Sequence, residues 1–173
     1  MNPSSRKSLT AGGARTFYLK VTLGSCKIEI ANGKTKVTRF DSFNSGTNAA
    51  SLSFNLSSIP SVMTFFVCDS ANTITGNLSS IPSVMTYFSC GGANTITEYT
   101  SRNFAKNMQR VYLRSNTSIN LSASNNDQLL IDLNNAGGTW SGEKLINLKG
   151  TRTTASDAAV ASLIAKGVSV IVN

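Results

Sequence analysis

Histidine is absent from the 173 residues, which excludes imidazole-based triads and histidine-bearing metal sites. Beyond residue 40 the carboxylates are Asp41, Asp69, Glu98, Asp127, Asp132, Glu143 and Asp157, and they show no paired spacing on one element. Glycoside hydrolysis needs two carboxyl groups facing one bond, and only Asp41 and Asp69, on different elements, offer even a thin basis for that. Residues 137–144, GGTWSGEK, carry the glycines of a phosphate loop. Glu143 stands where the lysine belongs, however, and no Ser or Thr follows Lys144. Cys26, Cys68 and Cys90 have no metal-binding spacing. The chain is therefore expected to be non-catalytic, without metal or cofactor. Asn55, Asn77, Asn116 and Asn120 fit the glycosylation triplet, but chance matches abound in so Ser- and Asn-rich a sequence.

The residues left to do chemistry are those suited to binding, and a tandem repeat orders them. Residues 55–76 read NLSSIPSVMTFFVCDSANTITG, and the unit begins again at Asn77 with a period of 22 residues. The two copies differ at Phe65/Tyr87, Val67/Ser89, Asp69/Gly91, Ser70/Gly92 and Gly76/Glu98. Alternation through Phe66-Val67-Cys68 marks a strand, with Phe66 and Cys68 inward and positions 65, 67 and 69 outward. A single unit cannot bury its apolar side alone, whereas stacked units build a continuous core. Cys68 and Cys90 then lie side by side, and their parallel Cβ vectors suit buried thiols better than a disulfide. Asn72 and Asn94 are placed to form an amide ladder at a turn.

The pattern from Met85 to Ile96, M-x-x-F-x-C-x-x-x-N-x-I, resembles the leucine-rich repeat, L-x-x-L-x-L-x-x-N/C-x-L. It has one extra residue before the Asn, and Met, Phe and Cys replace leucines, so the subfamily stays open. The segments NTITG and SSIP are similar to those of plant-type repeats and of repeat proteins from gut and marine bacteria and their phages. The resemblance implies an α/β solenoid of stacked parallel strands with helices or irregular returns.

Further units follow from the same pattern. Val37–Ser42 is an earlier strand; Met108–Leu113, with Ile119 beyond, is a third copy; Leu145–Leu148 and Val168–Val172 are two more strands. One helix is expected after Ser124, carrying Leu129, Leu130 and Leu133 and stopping near Gly137. Another starts at Ser156, carries Val160, Leu163 and Ile164, and stops at Gly167. A shorter helix is expected around Arg102–Met108. Leu19, Val21 and Leu23, then Ile28 and Ile30 before Asn32-Gly33, predict a β-hairpin cap at the N-terminus. The domain organisation is thus a basic tail at 1–16 and one repeat domain at 17–173. The latter has its cap at 17–36, repeats at 37–119 and C-terminal repeats or cap at 120–173.

Aligning the strands gives three columns on the outer sheet face: Arg39, Phe65, Tyr87 and Arg110; Asp41, Val67, Ser89 and Tyr112; Phe43, Asp69, Gly91 and Arg114. Aromatics flanked by arginines are typical of binding hot spots. The expected ligand is a protein or a glycan. The alternative is a structural subunit of a larger assembly, such as a phage tail or fibre, with self-association through the face or the basic end. Residues 1–40 hold Arg6, Lys7, Arg15, Lys20, Lys27, Lys34, Lys36 and Arg39 against Glu29 alone, nearly all of the net charge of +8. Nucleic acid or an anionic surface at that end ranks last among the partners, because charge runs are usually solvated. No apolar run is long enough to cross a membrane and no secretory signal is visible, so the sequence assigns no compartment.

Overall fold

The computed structural model describes residues 38–42, 53–68, 73–91, 93–114 and 121–173. The expected basic tail and hairpin cap lie outside these residues. So do Phe43, Asp69, Asn72 and Ile119.

The described chain is an α/β structure built on parallel strands. In order the elements are β1 (Arg39–Ser42), β2 (Ser53–Asn55), β3 (Phe65–Cys68), β4 (Thr73–Thr75), β5 (Tyr87–Ser89), β6 (Ala93–Asn94), β7 (Arg110–Leu113), α1 (Ala123–Asn135), β8 (Leu145–Leu148), α2 (Asp157–Ala165) and β9 (Ser169–Val172). An open six-stranded sheet runs β1-β3-β5-β7-β8-β9, and a three-stranded sheet runs β2-β4-β6. Every pairing in both is parallel.

Each copy of the repeat opens on a 3-10 turn, Leu56–Ser58 or Leu78–Ser80, and then contributes one strand to each sheet. The turn forms because an asparagine side chain replaces the backbone partner its first amide lacks. Asn55 Oδ1 accepts from Ser57 N at 3.0 Å, and Asn77 Oδ1 from Ser79 N at 2.8 Å. The same asparagines tie the start of each coil of chain to the segment some twenty residues on, Asn55 Nδ2 donating to Thr75 Oγ1 and Asn77 Nδ2 to Thr100 Oγ1. Among the described residues, the asparagines whose amides serve a turn in this way are Asn55 and Asn77. The expected amide ladder, at Asn72 and Asn94, lies outside the described side chains.

Inward positions form two rows beneath the large sheet. Phe40, Phe66, Phe88, Val111, Ile146 and Val170 align across it by register. The Phe40–Phe66 and Phe66–Phe88 ring pairs are stacked at 5.2 and 5.6 Å. Cys68 and Cys90 are fully buried in the second row, packed in the same cluster as Leu113 and Leu148. Burying each of the large side chains contributes about 1.5–3 kcal/mol. The second sheet is registered differently: Phe66 pairs with its copy Phe88, but Ile74 pairs with Asn94, two residues short of its copy Ile96. An offset of two preserves side-chain parity, so Ile74 and Ile96 both remain buried.

Both long helices form, with changes at their ends. α1 starts earlier than expected, capped by Ser122 Oγ, which accepts from Asn125 N at 3.1 Å. α2 ends before Gly167, whose φ of +79° suits a residue without a Cβ. Ser156 does not cap α2; its hydroxyl donates to Asp127 Oδ1 at 2.6 Å instead. Ile164, expected on the inner face, is 56% exposed.

The expected helix at Arg102–Met108 is absent. Its first amide is taken by α1: Arg102 N donates to Asp132 Oδ2 at 2.9 Å, and the guanidinium donates to the carbonyls of Ser79 and Ile81. Further on, Lys106 is pressed against Gly138 so closely that a Cβ there would lie 1.4 Å from the Lys106 carbonyl oxygen. Tertiary partners thus hold this segment in an irregular path that propensity alone does not predict.

Candidate functional site

Strand register assembles the first outward column as the sequence predicts: Arg39 beside Phe65, Phe65 beside Tyr87, Tyr87 beside Arg110. The four side chains make one continuous stack. Arg39 lies over the Phe65 ring at 3.5 Å, and Phe65 stacks on Tyr87 at 4.4 Å with planes 16° apart. Arg110 lies 5.5 Å from the Tyr87 ring and 4.6 Å from that of Tyr112. The rings are half-buried and Arg39 is exposed. Both faces of Phe65 are therefore covered by protein, and the column offers ring edges to its surroundings.

The arginines are neutralised within the face. Arg39 pairs with Asp41 at 3.0 Å. Arg110 Nη1 donates to both carboxylate oxygens of Glu143, at 2.7 and 2.9 Å, and lies 3.1 Å from Tyr87 Oη. Tyr87 Oη in turn donates to Glu143 Oε2 at 3.2 Å. Burial pushes the Tyr87 phenol above its ordinary value, with Glu143 adding to the rise and Arg110 opposing it. For Arg110, burial pulls downward, but Glu143 and Tyr87 more than offset it and the net shift is upward. At neutral pH Tyr87 is thus a neutral phenol and Arg110 a guanidinium. Glu143 was not among the predicted face residues. Nothing in its spacing marks it, because it reaches Arg110 only once β8 is laid beside β7.

The second column is also formed, Asp41 beside Val67, Val67 beside Ser89 and Ser89 beside Tyr112. Two of its members do not behave as expected. Val67 is 8% exposed and Ser89 1%, so neither is a surface contact. Alternation decides the side of the sheet on which a residue lies, while exposure depends on its neighbours. Ser89 has a short side chain set between Tyr87 in its own strand and Tyr112 across from it. In the third column Gly91 is half-buried and Arg114 exposed; Phe43 and Asp69 lie outside the described residues. The strands β8 and β9 lengthen the face, adding Leu145 and Ser169 to the first column and Asn147 and Ile171 to the second. Arg110 Nε and Asn147 Oδ1 are buried on this face without a hydrogen-bond partner.

Two other polar clusters fasten α1 to the segments packed beside it. Asp132 accepts from Tyr99 Oη, Ser101 Oγ, Arg102 N and Gln128 Nε2. Asp127 accepts from Thr153 N, Thr153 Oγ1 and Ser156 Oγ. Burial pushes Asp127 up, yet these bonds and the nearby Arg152 outweigh it and hold the carboxyl below its ordinary range. Each carboxylate is saturated by structural donors. Among the described residues no group of three or more His, Cys, Asp or Glu could hold a metal ion. No helix of the described residues is long and apolar enough to cross a membrane. Comparison with protein-family models, curated proteins and solved structures finds no match for this chain.

Proposed function

We propose that the chain is a non-catalytic recognition module of the leucine-rich-repeat kind, which binds a protein through the outer face of its large sheet. The observation that carries this is the Arg39–Phe65–Tyr87–Arg110 stack. Its side chains are already immobilised against one another, so little rotamer entropy remains to be lost on binding. Aromatic and arginine side chains held this way are the usual anchors of protein interfaces.

The same stack favours a protein over a glycan. A sugar ring packs on an open aromatic face, and here Arg39 and Tyr87 cover both faces of Phe65. Charge balance argues against a strongly anionic ligand, since Asp41 and Glu143 already answer Arg39 and Arg110. The solenoid itself is part of the proposal: the 22-residue period and the pairing of Phe66 with its copy Phe88 support it.

The test is to immobilise the intact protein, expose it to an extract of its source organism, and treat parallel samples of the extract with protease or with periodate. The proposal expects capture that protease abolishes and periodate leaves unchanged, and no signal on a glycan array. Capture lost to periodate, with binding on the array, would move the assignment to a glycan.

A further inference from the structure

The charged side chains of the first two outer columns answer one another: Arg39 pairs with Asp41, and Arg110 with Glu143. Arg114, in the third column, does not follow this pattern. It is exposed and makes no ion pair among the described residues. Burial alternates along β7, with Val111 and Leu113 inward, so Arg110, Tyr112 and then Arg114 come up on the outer side. Tyr112 thus stands between two guanidiniums. The first is committed, lying 4.6 Å from the Tyr112 ring and donating through Nη1 to Glu143. The second is open to the surroundings.

The positions beside Arg114 supply no negative charge. Leu113 and Leu148 are register partners, so the residues that follow them, Arg114 and Lys149, are neighbours at the strand ends. On the other side the ladder runs on past the Ser89–Tyr112 pair through Cys90, whose N–H donates to Tyr112 O, and brings Gly91, without a side chain, next to Arg114. A guanidinium held beside an aromatic ring, with a second cation adjacent, suits a carboxylate, whose two oxygens accept two parallel N–H bonds from its planar fork. Resting on the protein-recognition reading above, we propose that the partner presents an aspartate or glutamate side chain to Arg114. An apolar side chain of the same segment packs on the exposed edge of Tyr112. A run of acidic residues is not the complement, because its other charges would meet Asp41 and Glu143, which already neutralise their arginines. The recognised feature is a single carboxylate among apolar residues. Placed at the margin of the aromatic stack, the pair sets which partner binds and in what register.

The test selects a random-peptide display library on the full chain and measures the enriched peptide by calorimetry. The proposal expects enriched peptides to share one Asp or Glu next to apolar residues. Arg114→Gln should weaken such a peptide about tenfold or more, and converting the peptide's carboxylate to its amide should weaken binding to the parent equally. The two changes together should cost little more than either alone. Lys106→Gln removes the same charge from an exposed side chain on the irregular 101–109 path and should leave affinity unchanged. Circular dichroism verifies the fold of each variant. Equal losses for Arg114→Gln and Lys106→Gln would overturn the proposal, reducing the effect to general attraction by a cationic chain. So would enriched peptides without a carboxylate, or no enrichment at all. The Phe65→Ala/Tyr87→Ala/Tyr112→Ala variant separates this inference from the reading it rests on. A peptide lost by that variant but kept by Arg114→Gln would leave the outer face standing and overturn the role of Arg114. A peptide lost by Arg114→Gln but kept by the triple variant would support the ion pair and remove the aromatic face.

Discussion

At the scale of single residues, the outer face depends on ring pairs and on one carboxylate from a distant loop. Phe65 and Tyr87 stack at 4.4 Å, a geometry that contributes about 0.5–1.5 kcal/mol beyond the area it buries. A double-mutant cycle with Phe65→Ala and Tyr87→Ala, read by thermal unfolding, should return a coupling of that size; a coupling near zero would mean the rings are neighbours and nothing more. Phe65 and Tyr87 are legible in the sequence as outward aromatics because the copies differ there while the inward residues match. Glu143 is not legible, since it lies in a turn ahead of β8 and its partner Arg110 is 33 positions away on β7. Val67 and Ser89 show the other limit: a period of two identifies their side of the sheet but not the neighbours that cover them.

At the scale of elements, two buried aspartates decide how α1 is fixed. Asp132 gathers four donors from the 99–102 segment and from its own helix. Asp132→Ala leaves those donors unpaired and should cost about 3 kcal/mol or more, seen as a large fall in melting temperature. A loss under about 1 kcal/mol, the scale of an exposed pair, would show the cluster to be incidental. Asp127 predicts a pH dependence. Its folded-state pKa lies below the ordinary value of about 3.9, so its contribution is present above that pH and disappears as pH falls through the folded value. Melting temperatures measured from neutral pH downward should therefore fall more steeply for the parent than for Asp127→Asn, which begins lower. Equal slopes would remove Asp127 from the acid response. The strands and long helices were readable from apolar spacing and turn residues. The irregular 101–109 path was not, because it follows from Asp132 and Gly138, each far away in sequence.

At the scale of the whole molecule, the duplication explains the parallel columns and the stacked inward phenylalanines. It does not explain the second sheet, where pairing falls two residues short of the repeat. Sequence identity between copies specifies equivalent environments, while register in a short strand also answers to the turns at its ends. The central claim is that the outer face, pre-stacked and charge-balanced, is the surface a partner protein meets. The most direct test is capture from an extract of the source organism by three forms of the protein: intact, Phe65→Ala/Tyr87→Ala/Tyr112→Ala, and Val84→Ala, which alters an exposed side chain away from the face. The account predicts that the intact protein and Val84→Ala retain the same partner and that the triple variant, still folded by circular dichroism, does not. Equal retention by all three would contradict it.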